Sequence, residues 1–170
     1  MLDSKGNRNT GWGIGEKRGG YEYSPPLGWI GYGLNVIGKY DNGSDDWLDY
    51  NGNKNEWAVA YHGVRRENAP QVIHNIVKEG FKPGPNQVHG DCININNLNS
   101  DETVGNGVYC SPNPKVMETY TLSYNGYKMS LMLRVKPQRI RFCKCEPEYW
   151  VLNGKSNEMR PYRILVKGKK

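Results

Sequence analysis

Phenylalanine is nearly missing from this chain: 2 Phe stand against 12 Tyr and 5 Trp. Almost every aromatic ring therefore keeps a polar handle, which suits half-wet surfaces and stacking platforms better than a dry interior. Long apolar runs are missing as well. Nothing approaches the ~20 residues needed to cross a bilayer as a helix, so no membrane partner is expected. The opening MLDSKGNRNT lacks the apolar core of a signal peptide. The four cysteines are Cys92, Cys110, Cys143 and Cys145. Cys143-x-Cys145 on an alternating stretch would point both thiols to one face, yet no C-x2-C spacing supports a zinc site. No metal is expected, and free thiols point to a reducing, intracellular compartment, cytoplasmic or nuclear. The acidic loop DNGSDDWLDYNGNKN lacks the glycine and terminal glutamate spacing of a calcium-binding loop, so Asp41, Asp45, Asp46 and Asp49 read as a solvated acidic loop.

What remains is a globular composition. The 170 residues, 36% hydrophobic, are enough for one domain with a sizeable core. The net charge of +6 favours an anionic partner: nucleic acid, a phosphate-bearing cofactor or an acidic protein. The basic residues are spread along the chain and carry no nucleic-acid-binding signature, so nucleic acid is the less favoured of these.

Residues 1–20 are Gly-rich and polar, and read as a disordered or appended lead. Residues 21–56, rich in Trp and Tyr, read as an extension packed on the core. It includes LGWIGYGLNVIGKY, where Ile30, Tyr32, Leu34 and Val36 keep a strand period. The core itself is read as 57–170. It opens on WAVAYHG, an apolar strand that ends abruptly in His62 and Gly63. The next segment predicts a helix with Asn68 as N-cap, Pro70 in the first turn, an apolar stripe of Val72, Ile73, Ile76 and Val77, and Gly80 as the stop. A long Gly/Pro/Asn loop comes next, covering 82–106; loops of that length are usually functional. GVYC is a short strand, and SPNPKVMETYTL a short helix that places Val116 and Tyr120 on one face. In YKMSLMLRVK, Tyr127, Met129, Leu131, Leu133 and Val135 alternate with Lys128, Ser130, Met132 and Arg134, as in a half-buried strand. QRIRFCKC, EYWVL and RPYRILVK complete an α+β pattern with mostly antiparallel pairing.

Three separated pieces, YHG before a helix, GVYCSPNPKVMETY, and EYWVLNGKSNEMRPYRILVK, occur in an order that resembles the ADP-ribosyltransferase superfamily. The branch is the one with a His-Tyr-Glu triad, which includes the poly(ADP-ribose) polymerase catalytic domain and diphtheria toxin. Tyr109 and Tyr120 lie eleven residues apart, as do that family's two tyrosines. The resemblance implies a split antiparallel β-sheet core with one or two short helices and a long donor-site loop. It also implies NAD as co-substrate. His62 would bond the adenosine-side ribose, Gly63 would clasp the carboxamide, and Tyr109 and Tyr120 would stack the nicotinamide. Glu148 would bond the nicotinamide ribose and stabilise the cation-like sugar. Those residue types suit the chemistry: breaking the ribose–nicotinamide bond requires a held dinucleotide and a negative charge beside developing positive charge. Arg65 and Arg66, just past the His-Gly pair, are read from charge as pyrophosphate contacts. Glu146, in Glu146-Pro147-Glu148, is a candidate acceptor-side residue by analogy with the arginine-modifying toxins.

The pattern departs from the family at Met117, where a serine hydroxyl usually helps hold the carboxamide; a thioether cannot donate. The segment between LMLRVK and Glu148 is short, which predicts transfer of single units or NAD hydrolysis in place of chain elongation. The expectation is therefore a monomeric mono-ADP-ribosyltransferase acting on a protein acceptor. Two alternatives stay open: a non-catalytic module of the same fold that binds a protein partner, and a basic nucleic-acid-binding or nucleic-acid-modifying domain. His74 and His89 read as structural or solvent-facing.

Overall fold

The computed structural model describes residues 2–9 as backbone, and residues 16–65, 67–83, 107–143 and 146–168 in full. They form an α+β domain. Its strands are β1 (Leu2–Asn9), β2 (Lys17–Arg18), β3 (Tyr21–Glu22), β4 (Ile30–Leu34), β5 (Ala58–Gly63), β6 (Val108–Cys110), β7 (Ser123–Tyr124), β8 (Tyr127–Val135), β9 (Arg141–Phe142), β10 (Trp150–Leu152) and β11 (Met159–Gly168). Two helices accompany them, α1 (Ala69–Glu79) and α2 (Pro114–Thr119). All strand pairing among the described residues is antiparallel. A six-stranded sheet runs β1-β4-β11-β8-β5 with β7 paired to β8, a three-stranded sheet runs β6-β10-β9, and β2 and β3 form a hairpin.

Helix α1 obeys its sequence signals. Pro70 sits in its first turn, Gly80 ends it, and Ile73 is buried with Val72, Ile76 and Val77 packed around the same core. Asn68 occupies the N-cap position, but its side chain makes no capping bond. The segment read as a disordered lead instead supplies β1, which pairs with β4. The reason is backbone saturation: β4 would otherwise leave one edge of N–H and C=O groups open. In β4, Leu34 is buried while Ile30 is 47% exposed, so the alternation expected from Ile30 holds only at one end.

β8 departs most from its sequence pattern. Ser130 to Val135 are all buried, polar and apolar alike. Strand alternation is hidden because both faces are covered. One face carries Leu131, Leu133 and Val135 against Ala58, Ala60 and Ile73. The opposite face carries Met132 against Trp29, Val59, Tyr61, Met117 and Leu165. Arg134 is buried because its guanidinium donates to the carbonyls of Trp57, Leu48 and Asp49.

Residues 21–56 are built into this second layer. Trp29 lies beneath Tyr61 and Met117, while Leu34, Val36 and Trp47 pack with Trp57. The acidic loop is only partly solvated. Asp41 accepts two bonds of 2.7 Å from Arg160, whose guanidinium lies 4.3 Å from the ring centres of Tyr40 and Trp57. That pairing holds the Asp41 carboxyl below the usual range. No helix among the described residues is long and apolar enough to cross a membrane.

Candidate active site

The two sheets meet at one point. Tyr61 of β5 and Ser111, just past β6, exchange backbone hydrogen bonds of 2.7 and 3.0 Å. Tyr61 thus turns its N–H and C=O away from β8. Backbone groups alternate along a strand, so Gly63, two residues on, faces the same open edge. A cavity of about 610 Å³ lies along that edge. His62, Gly63, Arg65, Tyr109, Tyr120 and Tyr149 are among the residues that line it, with Phe81 and Lys82 from the chain after α1. Five sequence-predicted positions therefore share one cavity.

His62 is held firmly. Its Nδ1–H donates to the Tyr109 carbonyl at 2.8 Å, and its ring meets Phe81 edge-on at 5.2 Å. Burial lowers the imidazole pKa, partly offset by the Tyr109 bond, so the ring is neutral with Nδ1 protonated and Nε2 free to accept. Gly63 is glycine for a steric reason. A Cβ there would sit 2.7 Å from the Met117 carbonyl oxygen and 3.0 Å from Thr121 Oγ1, so the end of α2 can pack directly on β5. Gly107, just before β6, has φ +153°, and a Cβ there would meet the Leu152 carbonyl oxygen at 2.6 Å. Tight backbone packing thus fixes both strands that frame the cavity.

Tyr120 and Tyr149 meet across the cavity wall. Their hydroxyls lie 3.1 Å apart and their rings pack edge-on at 6.0 Å. The hydrogen bond, with burial, pushes the Tyr149 phenol up to about 12. Met117 also lines the cavity but is only 2% exposed, packed with Trp29, Val59 and Tyr61. Cys110 also lines the cavity, but burial pushes its thiol up, leaving it protonated and a poor nucleophile.

Glu148 is not part of the cavity wall. It lies exposed in the turn that precedes β10, next to the lining residue Tyr149, and its Oε1 accepts from Asn113 Nδ2 at 2.9 Å. Glu146 is exposed in the same turn, where its carbonyl accepts from the Tyr149 N–H at 2.9 Å. Arg66, Cys92, Cys145, His89 and the 84–106 part of the long loop lie outside the described residues. Among the described residues no cluster of three or more His, Cys, Asp or Glu could hold a metal, and Cys110 and Cys143 are buried free thiols. Sequence reading missed Asn113, Phe81 and Tyr149. Asn113 alone had a local signal, since Asn before Pro is a common way to start a helix.

Neither a protein-family model nor a curated protein matches the chain. The chemistry of the cavity rests on its own residues.

Proposed function

We propose that this protein is an NAD-dependent mono-ADP-ribosyltransferase that transfers ADP-ribose to a protein acceptor and releases nicotinamide. The observation that carries this reading is the convergence of His62 and Gly63 from one stretch of sequence, and Tyr109 and Tyr120 from another, on one cavity. Its size suits a cofactor-scale ligand. Gly63 offers an outward N–H and C=O, the complementary pair that a flat carboxamide needs. His62 offers a neutral acceptor nitrogen for a ribose hydroxyl, and the two tyrosines offer apolar faces for a planar ring. Arg65, on the lining, supplies positive charge for a pyrophosphate. On this reading Glu148, next in sequence to the lining residue Tyr149, opposes charge on the opening sugar. Two antiparallel sheets joined at β5 and β6 also fit the split-sheet core of the ADP-ribosyltransferase superfamily.

A second reading is favoured by one observation. Met117 fills, with a buried thioether, the place where that family carries a carboxamide-holding hydroxyl. On that reading the same fold binds a protein partner without turnover. Release of nicotinamide from NAD⁺, measured for the native chain and for Glu148→Gln with intact-mass spectra of both, separates the two. Release that collapses in the variant is the expected result. Absence of release from well-folded native protein would refute the transferase.

A further inference from the structure

We infer that Asn113 is a positioning residue for Glu148, an assignment that rests on the transferase reading for its catalytic meaning. Asn113 is the N-cap of α2, and its Oδ1 accepts from the Lys115 N–H at 2.9 Å. Its Nδ2 donates to Glu148 Oε1 at 2.9 Å, across 35 residues of sequence. The amide orientation is fixed chemically: a backbone N–H cannot accept and an ionised carboxylate cannot donate. One side chain therefore spends both ends, one on the helix and one on the carboxylate. The Asn113 backbone N–H in turn donates to Ser111 Oγ at 3.0 Å, tying this residue to the junction between the sheets.

The far end of α2 repeats the arrangement. Tyr120, its C-cap, bonds the hydroxyl of Tyr149, the residue after Glu148. The helix thus braces the 146–149 turn at two points on successive residues. Glu148 is exposed and has a flexible side chain, so without Asn113 its carboxylate would sample many rotamers. The Asn113 bond selects one of them and orients the carboxylate through Oε1.

The test separates bracing from simple helix capping. Asn113→Ser and Asn113→Asp both preserve a good N-cap, and neither can donate an amide N–H to Glu148. If positioning matters, both variants keep a melting temperature within about 2 °C of native. Their kcat for nicotinamide release falls about fivefold for Ser, the worth of one hydrogen bond. It falls further for Asp, which sets a like charge beside Glu148, while KM for NAD⁺ is unchanged in both. Native kcat in both variants would overturn the inference and leave Asn113 a cap only. A second readout needs no activity: in the ¹⁵N-labelled full chain the Asn113 side-chain amide resonances should move on Glu148→Ala and stay put on Glu146→Ala. Unmoved resonances would equally overturn the inference. Resonances that move in a native chain releasing no nicotinamide uphold the contact and overturn the transferase reading alone.

Discussion

Gly63→Ala adds a single methyl group at the tip of β5, where the packing leaves no room for it. The new Cβ would lie 2.7 Å from the Met117 carbonyl oxygen, 3.0 Å from Thr121 Oγ1 and 3.0 Å from the Tyr120 carbonyl carbon, where ordinary contact begins at 3.4 Å. Two of these three atoms are backbone, so no rotamer change relieves the clash. The end of α2 must move away from β5 by roughly half an ångström or more, or β5 must bend. Overpacking of this kind costs about 1–3 kcal/mol. At about 2–4 °C per kcal/mol for a chain of this length, the melting temperature should fall by about 2–12 °C. The displacement also carries Tyr120 away from Tyr149 and tilts one wall of the cavity. Thermal unfolding by circular dichroism reads the first effect, and NAD⁺ titration followed by tryptophan fluorescence reads the second. A Gly63→Ala variant that melts within about 1 °C of native and binds NAD⁺ equally well would refute both the close approach of α2 and the role of Gly63.

Three further outcomes are expected. His62 is half-buried and neutral, with its pKa below the unfolded value of about 6.5. Unfolded chains therefore bind more protons in that window, so stability is full above about pH 6.5 and falls as pH drops toward the folded value. His62→Gln should flatten this segment of a denaturation-versus-pH curve, and an unchanged slope would sink the assignment. Asp41 is depressed by Arg160, so its contribution is present above about pH 3.9 and lost as pH falls through its lower folded value. Asp41→Asn should cost about 1 kcal/mol at neutral pH, the scale for a half-exposed pair, and lose that acid dependence in urea titrations. Deleting residues 1–56 removes Trp29, Leu34, Val36 and Trp47, each buried. At about 1.5–3 kcal/mol apiece this rivals the whole stability of a domain. The shortened chain should show no cooperative melt, and a sharp transition would count against that accounting.

Local signals were legible and distant pairings were not. The α1 stripe of Val72, Ile73, Ile76 and Val77 was readable because helical periodicity, Pro70 and Gly80 all lie within about a dozen residues. His62, Gly63, Tyr109 and Tyr120 could be picked out from short motifs, and the structure gathers them at one cavity. β8 misled because alternation of Ser130 and Arg134 with leucines implies a wet face, whereas Trp29, Tyr61 and Leu165 cover it from elsewhere in the chain. Nothing in RPYRILVK marks Arg160 for burial; the fold supplies Asp41, Tyr40 and Trp57 to bury it. Asn113 and Glu148 are joined by a contact that no periodicity encodes. Such partners are chosen by tertiary geometry, so a single sequence carries no trace of them.

The abrupt end of β5 in His62-Gly63 is set by the groups on each side of it. From Ala58 to Tyr61 every side chain is buried, which makes the strand a stiff rod with no freedom to twist its tip. At Tyr61 one edge is already closed by Ser111 and the other by β8. Two residues further the β8 edge is still paired, at Gly63 with Ser130, while the outer edge opens on the cavity. A side chain at 63 would collide with α2, so only glycine lets the helix close the cavity from below. A side chain at 62 points to the other face, where the Tyr109 carbonyl and Phe81 fix its ring. One strand end thereby presents a rigid backbone pair on one side and a fixed acceptor nitrogen on the other. Rigidity of this kind is what ligand recognition by few polar groups demands. It comes from the apolar residues behind the tip, including Trp29 from the N-terminal extension, as much as from the residues at it.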